Sequence, residues 1–578
     1  MAGRSRATRT ALGEAGHALD PLMPDEITQA VAAMRAQAGF GARSWIETVT
    51  LAEPDKAACR TGTAPRLAYV CAFDPERLVT LRATVDLATG CLGALAEVEG
   101  AMARITADEF LATGEWVARH PDFVAALGRR GIHDPSLVLV EPWAAGHFGH
   151  AAEEGRRLAY THAWVRAAAD DNPYARPIDG LHALVDLVTR EILRLDDRLA
   201  PAPVGTESGN FAPGTAGPLR RDVRPLEIVQ PEGPSFAVDG YAVRWLDWRF
   251  RVGWSPREGL ILYDVAWQDG ERLRPIAWRL ALSEMVVPYG APEAADARRN
   301  AFDLGEYGIG QLADSLALGC DCLGQIHYFD MPIHDWQGVP KVIERAVCLH
   351  EEDDGILFKH WRGREPDVRR GRRLVVSFLA TIGNYVYGIY WSFRPDGAIA
   401  CEAKATGIVF TSGHRPGEPT PWGSVVAPNV QAHVHQHVFN FRLDLDIDGE
   451  RNSVLEVDHE PVPEGPDNPY GNAIGRRETV LATELVARRD VDLGRARRWR
   501  IVNPDRRNRF GAPVAYELVP GANALPFAHT ASPIGRRAGF MYHHLWVTPR
   551  APPYLRLYSP PPPKSNPTLC YMHWRGGL

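Results

Sequence analysis

The chain has 578 residues, a net charge of -7 at neutral pH and apolar, aromatic and charged fractions of 45%, 9% and 23%. This length predicts two to four domains, and the composition is that of an ordinary globular protein. A modest acidic charge gives no electrostatic basis for binding nucleic acid or an anionic membrane. We therefore expect neither as a partner.

The N-terminal stretch MAGRSRATRTALGEAGHALDPL is basic but lacks the apolar core of a signal peptide. No later segment reaches the roughly 18 apolar residues of a membrane span. These two features predict a cytoplasmic protein. The eight cysteines are too few for a disulfide scaffold in a chain of this length, and we expect most of them to be buried thiols.

The first two hundred residues predict two small α+β domains after a disordered N-terminus, residues 1–17. The first domain, 18–104, begins with the helical pattern MPDEITQAVAAMRAQAG, and the second, 105–197, begins with the capping box TADE. Alternating strands follow each helix. The segments VDLAT at 85 and VDLVT at 185 lie 100 residues apart, which favours two copies of one domain.

The rest of the chain changes character. Residues 198–234 are rich in proline and glycine and predict a linker. Residues 235–548 predict a large antiparallel β-sandwich, because alternating strands and turns succeed one another. Residues 549–578 form a proline-rich, atypical tail. The predicted fold class is therefore α+β plus all-β, with the chemistry in the sandwich.

One strand of the predicted sandwich, in FLATIGNYVYGIYWSF, is unusual for a buried strand. Asn384, Tyr385, Tyr387 and Tyr390 place an amide and three phenols among apolar side chains. A hydroxyl that is removed from water needs a hydrogen-bond partner. The segment therefore needs a specific explanation.

A second strand, HVHQHVFNFRLDLDI, alternates three histidines. His433, His435 and His437 are expected on one side of it. Imidazoles two residues apart, about 6 to 7 Å along a strand, can share one ion such as Cu or Zn, whereas a third imidazole lies too far along. The alternative is a polar, solvated strand face.

The segment AFDLGEYGIGQLA supports two interpretations. It partly matches a dinucleotide-binding fingerprint, but the flanking sequence predicts antiparallel strands rather than the βαβ unit that this fingerprint requires. Asp303 in this segment is either a turn aspartate or a buried base.

Together these motifs resemble the copper amine oxidase family. The resemblance rests on the Asn384–Tyr385 strand, the turn PDG, EAKATG and the HQH strand, with VVPYG, FDLGEYGIGQ, LGCDCLG and CLHEEDDGILFKHW in support. It covers residues 18–548. It implies a homodimer that oxidises a primary amine with O2 to an aldehyde, ammonia and hydrogen peroxide.

The resemblance also implies roles for individual residues. Tyr385, preceded by Asn384, matches the precursor of topaquinone, which copper and O2 form on the protein's own chain. Asp303 matches the base that removes the α proton, a role that suits a carboxyl whose pKa is raised by apolar surroundings. Tyr289 matches a phenol bonded to a quinone oxygen.

Further positions match metal ligands and a disulfide of the family. His435 and His437 match two copper ligands, and Asp444 matches a carboxylate of a peripheral calcium site. Cys322 and Cys348 match an intrachain disulfide, which fits poorly with a reducing cytoplasm.

Three departures from the family pattern limit these expectations. Val386 follows Tyr385 where the family has an acidic residue, and Ala301 replaces an aromatic gate, which would admit bulkier amines. The third copper histidine has no match, and His433 and His573 are only non-equivalent substitutes. We therefore expect a truncated or frame-shifted end that weakens copper binding and quinone formation.

Two alternatives to the oxidase follow from these departures. One is a catalytically impaired family member with a structural or binding role only. The other is a cupin-like metal enzyme that uses His435 and His437, although it leaves the Asn384–Tyr385 strand unexplained. The identity of the amine does not follow from the sequence.

Overall fold

The computed structural model of the chain describes residues 7–10, 12, 16–146, 148–217, 220–521 and 523–548. The predicted tail at 549–578, with His573, lies outside the described residues. Within the described part of the chain, no helix is long and apolar enough to cross a membrane.

The N-terminal segment contains a strand, β1 (Ala7–Thr10), which pairs in parallel with a strand of the sandwich. The prediction of a disordered N-terminus is therefore wrong for these four residues. The Thr8 hydroxyl lies 2.8 Å from Nδ1 of His327, and Arg9 forms an ion pair with buried Asp330. Partners more than three hundred residues away hold this short strand, so its own sequence gives little sign of it.

The first small unit is a four-stranded antiparallel sheet with a helix packed on it. The sheet order is β2-β3-β4-β5. Ile27, Val31 and Met34 form the buried face of the helix, as the 3.6-residue periodicity predicts. The elements are α1 (Pro24–Arg35), β2 (Trp45–Ala52), α2 (Lys56–Arg60), β3 (Leu67–Asp74), β4 (Val79–Asp86) and β5 (Ala96–Glu99).

The second small unit has two helices and a sheet of the same meander order, β6-β7-β8-β9. Thr106 caps the first helix by accepting a hydrogen bond from the backbone N–H of Glu109, at 3.2 Å. The elements are α3 (Ala107–Ala118), α4 (Pro121–Arg129), β6 (Val138–Ala144), β7 (Leu158–Val165), β8 (Leu181–Asp186) and β9 (Glu191–Asp197).

The two main sheets of the sandwich follow after residues 198–217 and 220–234, which contain no helix or strand. The seven-stranded sheet contains β10 (Phe236–Asp239), β11 (Ala242–Trp245), β12 (Trp248–Ser255), β13 (Gly259–Asp269), β14 (Arg272–Pro288) and β15 (Asn300–Phe302), with the short helix α5 (Ala294–Arg298) before β15. The six-stranded sheet adds β16 (Ile326–His334), β17 (Pro340–Arg362), β18 (Glu365–Ile382), β19 (Tyr385–Phe393) and β20 (Ile399–Gly407) to β1.

Smaller sheets complete the unit, and one later strand, β24, joins the seven-stranded sheet by pairing with β14. The remaining elements are β21 (Ser412–Gly413), β22 (Gly423–Ala427), β23 (Val430–His433), β24 (Val438–Leu445), β25 (Ser453–Pro461), β26 (Ile474–Val480), β27 (Arg488–Arg489), β28 (Arg498–Arg507), β29 (Pro513–Leu518), α6 (Pro533–Arg537) and β30 (Leu545–Trp546).

The histidine segment is not the single strand that its alternation predicts. β23 ends at His433, and β24 begins at Val438. Between them the carbonyl of Val434 accepts the N–H of Gly290 at 2.8 Å, and the N–H of Gln436 donates to the carbonyl of Pro288 at 3.2 Å. These bonds continue the antiparallel register of β14 with β24, in which Val286 lies opposite Val438 and Tyr289 lies opposite His435. Residues 435–437 therefore extend the β24 side of this ladder, whereas His433 belongs to β23.

The core between the two main sheets is aromatic. Phe250 of β12 and Phe393 of β19 stack with ring centroids 4.6 Å apart, and Trp254 meets Phe378 at 5.5 Å. These contacts join strands of opposite sheets and bury large apolar surfaces. The predicted fold class, two small α+β units followed by a large β-sandwich, is confirmed.

The contact between α3 and β6 generates a test of packing. A Cβ atom at Gly114 would lie 2.2 Å from the carbonyl oxygen of Val140, so Gly114→Ala must push the helix off the sheet. We expect a lower unfolding midpoint in urea, corresponding to a loss of about 1 to 3 kcal/mol in the free energy of unfolding.

Gly128→Ala in α4 is the matched control. No atom lies within 4 Å of its added Cβ, and alanine favours the helix by roughly 0.5 to 1 kcal/mol. Equal stability of the two variants would contradict the packing account.

Candidate active site

Tyr385 is held at the very start of β19 by the residue before it. The Asn384 side-chain amide donates to the carbonyl of Ile408 at 2.6 Å, and the Ile408 N–H donates back to the carbonyl of Asn384 at 2.7 Å. At Gly407 (φ +92°), a Cβ would lie 2.7 Å from that same Asn384 oxygen, so only glycine permits this approach. The backbone at Tyr385 is therefore fixed from both sides.

The Tyr385 hydroxyl contacts His435 directly. Its oxygen lies 2.8 Å from Nε2 of His435 and accepts the backbone N–H of Phe410 at 3.2 Å. Nδ1 of His435 lies 2.9 Å from the carbonyl of His433, which can only accept, so Nδ1 carries the proton. Burial lowers the pKa of His435, and in the neutral ring Nε2 offers its lone pair to the phenol.

His437 lies beside this pair. Its ring centroid is 4.9 Å from that of His435 and 5.0 Å from that of Tyr385. Burial, followed by the neighbouring His435, lowers the pKa of His437 to about 4, and its Nδ1 lies 3.1 Å from the Tyr387 hydroxyl. Two neutral imidazoles next to a phenol fit copper in the chemistry of the donor atoms, because metal ligation requires the unprotonated ring.

His433, the third histidine of the motif, does not join the other two. Its Nδ1 lies 3.0 Å from Oδ1 of Asp296 in α5. His435 and His437 thus contact tyrosines of β19, whereas His433 contacts α5. That all three imidazoles point to one side stays a prediction. Among the described residues, no set of three His, Cys, Asp or Glu side chains whose ligand atoms lie within 4.8 Å of one another includes both His435 and His437.

Asp303 is the first residue of a π-helical turn (Asp303–Tyr307) that follows β15. Its side chain is buried, and in the described part of the chain its Oδ2 atom has no hydrogen-bond partner. Burial raises the pKa of Asp303 well above its ordinary value, and the nearby carboxylates of Glu284 and Glu306 raise it further. A carboxyl in this state suits proton abstraction near neutral pH.

Asp303 and Tyr385 line one cavity of about 200 Å³. Tyr289, Asn384 and Tyr387 line it from the sandwich, so the structure brings together five residues that the sequence singles out. Seven residues of the second small unit complete the wall: Ile105, Thr106, Ala107, Phe110, Leu111, Glu141 and Trp143.

Tyr289 and Ala301 shape the cavity near Tyr385. The Tyr289 ring stacks on His435 with centroids 4.8 Å apart, and burial, followed by the nearby Tyr385 phenol, raises the pKa of Tyr289. Ala301 presents only a methyl group to the cavity. The space that an aromatic residue would fill at this position is open.

The sequence prediction missed three contributors to the site. Phe410 supplies the N–H that the Tyr385 hydroxyl accepts, and Glu284 contributes to the raised pKa of Asp303. Glu141 brings a second buried carboxylate to the cavity. Its sequence signal is a single acid within the apolar strand VLVEPW, where burial of a charge needs a reason.

Cys322 and Cys348, the pair that the resemblance matches to a disulfide, are adjacent but are free cysteines in this structure. Their sulfur atoms lie 2.6 Å apart, and Nδ1 of His350 lies 3.3 Å from the Cys348 sulfur. These three residues precede His435 and His437 by more than eighty positions in the sequence.

Asp444 does not face an open cation site. Nζ of Lys56 lies 2.7 Å from Asp444 and 2.6 Å from Asp446, and all three side chains are buried. Arg60 binds Asp446 as well, at 2.6 Å. An ammonium group therefore occupies the position between the two carboxylates, and this arrangement does not fit calcium.

Comparison with known proteins places the chain in a family. Models of the copper amine oxidase N2, N3 and enzyme domains match residues 17–95, 108–214 and 237–559. The primary amine oxidase of Arthrobacter sp. (strain P1) is 42% identical over 547 residues, which cover 94% of this chain and 84% of that protein. The histamine oxidase of Arthrobacter globiformis is 42% identical over 548 residues, 93% of this chain and 79% of that protein.

A solved structure gives the same result. The copper-containing benzylamine oxidase from Hansenula polymorpha has a TM-score of 0.84 and 30% identity, covering 93% of this chain and 87% of that chain. The chain belongs to the copper amine oxidase family. The predicted family is confirmed, and with it an enzyme that oxidatively deaminates primary amines with O2, copper and topaquinone.

The Lys56 geometry generates a prediction about calcium. In the unmodified protein, calcium and EGTA should give the same melting temperature, because the Lys56 ammonium already compensates Asp444 and Asp446. Lys56→Met removes the ammonium that Asp444 and Asp446 share and leaves Arg60, which binds Asp446 alone, as the neighbouring cation. We expect a loss of about 3 to 5 kcal/mol, part of which calcium restores.

Lys341→Met is the control, because that side chain is 54% exposed and lies 4.0 Å from Asp335. Its effect should stay within about 0.5 kcal/mol and not depend on calcium. A melting temperature of the unmodified protein that rises with calcium would show that the site takes a divalent cation.

Proposed function

We propose that Tyr385 is the residue from which the quinone forms and that His435 and His437 hold the copper ion. The observation that carries this proposal is the 2.8 Å contact between the Tyr385 hydroxyl and Nε2 of His435, at a ring that lines the same cavity as Asp303. Copper bound at the two imidazoles would allow O2 to oxidise the phenol to a quinone, whose carbonyl is an electrophile for amines.

The chain's own residues then do four things in this proposal. Asn384 and Phe410 fix the backbone and hydroxyl of Tyr385, so the ring keeps one orientation. Apolar walls exclude water from the cavity. Asp303 accepts the α proton of the amine at Oδ2, the oxygen without a partner in the described structure. Tyr289 faces the Tyr385 oxygen.

A homodimer belongs to this proposal as well. The hairpin of β17 and β18 extends beyond the sandwich and exposes large apolar side chains, including Ile356, Phe358 and Trp361. Such side chains favour burial against a second protein surface. Calcium at Asp444 is not part of the proposal, and the cytoplasmic location stays a prediction from the sequence.

Tyr385→Phe tests the quinone assignment, because it removes only the phenolic oxygen. In copper-loaded protein kept in air, we expect loss of the redox-cycling quinone stain and of amine turnover, with an unchanged unfolding midpoint. Tyr390→Phe, on the other face of β19, is the matched control and should keep both signals.

Asp303→Asn separates proton abstraction from quinone formation. We expect this variant to keep the quinone stain and to lose roughly 10²- to 10⁴-fold in turnover. Full activity of Tyr385→Phe, or a quinone stain in Tyr385→Phe as strong as in the unmodified protein, would refute the assignment.

The raised pKa of Asp303 predicts the pH dependence of kcat/KM. A general base must be deprotonated, so the acidic limb should lie at higher pH than for an exposed aspartate. Glu306, which pairs with Arg537, adds to this elevation. Glu306→Gln removes a negative charge and should move the limb to lower pH by roughly half a unit or more.

Arg537→Gln should move the limb in the opposite direction, because it leaves the Glu306 carboxylate uncompensated beside Asp303. The two variants thus serve as controls for each other. If the acidic limb of the kcat/KM profile is unchanged in both variants, or shifts in the same direction in both, the Glu306 charge does not act on the catalytic base.

A further inference from the structure

The substrate cavity is acidic in a way that the chemistry at Tyr385 does not explain. It is lined by two buried carboxyl groups, Asp303 and Glu141. Among the described residues that line it, none is a lysine, arginine or histidine. Asp303 has a role as the base, whereas Glu141 has none in the reaction.

Glu141 is held firmly by two neutral donors. Its Oε1 accepts the Tyr174 hydroxyl at 2.5 Å, and its Oε2 accepts the indole N–H of Trp143 at 3.0 Å. The carboxylate lies against the turn before Asn384, since a Cβ at Gly383 would be 3.4 Å from Oε1. The group is therefore fixed at the cavity wall close to the segment that carries Tyr385.

These contacts orient the charge of Glu141 without balancing it. No lysine, arginine or histidine in the described part of the chain forms an ion pair with it, and its side chain is almost fully buried. A buried carboxylate is costly unless a cation compensates it, and each oxygen still has a second lone pair to offer. Burial raises the pKa of Glu141, and the hydrogen bonds from Tyr174 and Trp143 oppose that rise. Because the described lining offers no cation, a cation that compensates the carboxylate would come from the ligand.

We propose that Glu141 binds the distal ammonium group of a diamine whose other amino group reacts at Tyr385. This inference rests on the proposed function of the site and adds its substrate class. The remaining lining is largely apolar, including Phe110, Trp143 and Ile382, which suits a methylene chain between two charged ends. A cavity of about 200 Å³ accommodates a short alkane diamine.

The proposal explains why two carboxylates coexist in one small cavity. A dication presents one amine to the reacting end and one ammonium to Glu141, so that a single ligand compensates the buried charge. A monoamine of the same length places a methyl group at Glu141 and leaves the carboxylate without a cation. The site should therefore prefer the diamine.

The test is the ratio of kcat/KM for 1,4-diaminobutane to that for n-butylamine, in the copper-loaded protein and in Glu141→Gln. Glutamine keeps the shape: its carbonyl oxygen can accept the Trp143 N–H, and its amide N–H can donate to the Tyr174 hydroxyl, which also accepts. We expect the ratio to favour the diamine and to fall roughly 10- to 100-fold in the variant, mostly through KM. Because each ratio is internal to one preparation, it does not depend on how much of the protein is active.

Asp108→Asn is the matched control, because Asp108 is exposed on α3 beside the cavity residue Ala107. It removes the same charge from the same region without touching the cavity, and its ratio should stay at the wild-type value. A ratio that is unchanged in Glu141→Gln, or that already favours the monoamine in the unmodified protein, would overturn the proposal.

A binding measurement separates this proposal from the proposed function. In Tyr385→Phe, which cannot turn over, calorimetry should show 1,4-diaminobutane binding that weakens roughly 10-fold or more when Glu141→Gln is added. If amine oxidation is absent but this difference is present, the function fails and the Glu141 site stands. If the double variant binds the diamine as tightly as Tyr385→Phe, Glu141 does not recognise an ammonium group.

Discussion

The hydrogen bond between the Tyr385 hydroxyl and His435 joins the two main sheets of the sandwich at the site of chemistry. Tyr385 begins β19 in the six-stranded sheet, whereas His435 precedes β24, which pairs with β14 in the other sheet. Its 2.8 Å length therefore depends on how the two sheets pack, including the stacked rings of Phe250 and Phe393. The site is a product of the whole core rather than of one segment.

The surroundings of Asp303 show how backbone groups sustain an unfavourable arrangement of acids. Glu284 lies near Asp303, yet it accepts the backbone N–H groups of Leu304 and Gly305 at 3.0 and 3.2 Å and pairs with Arg257. Burial raises the pKa of Glu284, and these bonds oppose that rise by favouring the charged form, whose field disfavours a second charge at Asp303. Placing acidic groups close together in the interior is unfavourable, and it raises the proton affinity of Asp303. Functional sites commonly contain such unfavourable arrangements.

Local patterns in the sequence are enough to predict the strands of the sandwich and to single out Asn384 and Tyr385 as unusual in a buried strand. They fail where a distant segment decides the outcome. His433 alternates with His435 and His437 in the sequence, yet its imidazole lies 3.0 Å from Asp296, a residue 137 positions earlier in the chain. Lys56 meets Asp444 across 388 positions of the chain, and no spacing within either segment indicates that contact.

The two kinds of unit contribute different properties to one cavity. The sandwich provides Tyr385, the imidazoles and Asp303, while the second small unit provides a wall through α3 and β6. The wall is held in position relative to Asp303, because the Ala144 N–H donates to the Tyr307 hydroxyl at 3.1 Å. Tyr307 belongs to the same π-helical turn as Asp303. Substitutions in the wall can therefore change which amine is accepted while the reacting groups keep their geometry. Substitutions in the sandwich act on the reaction itself.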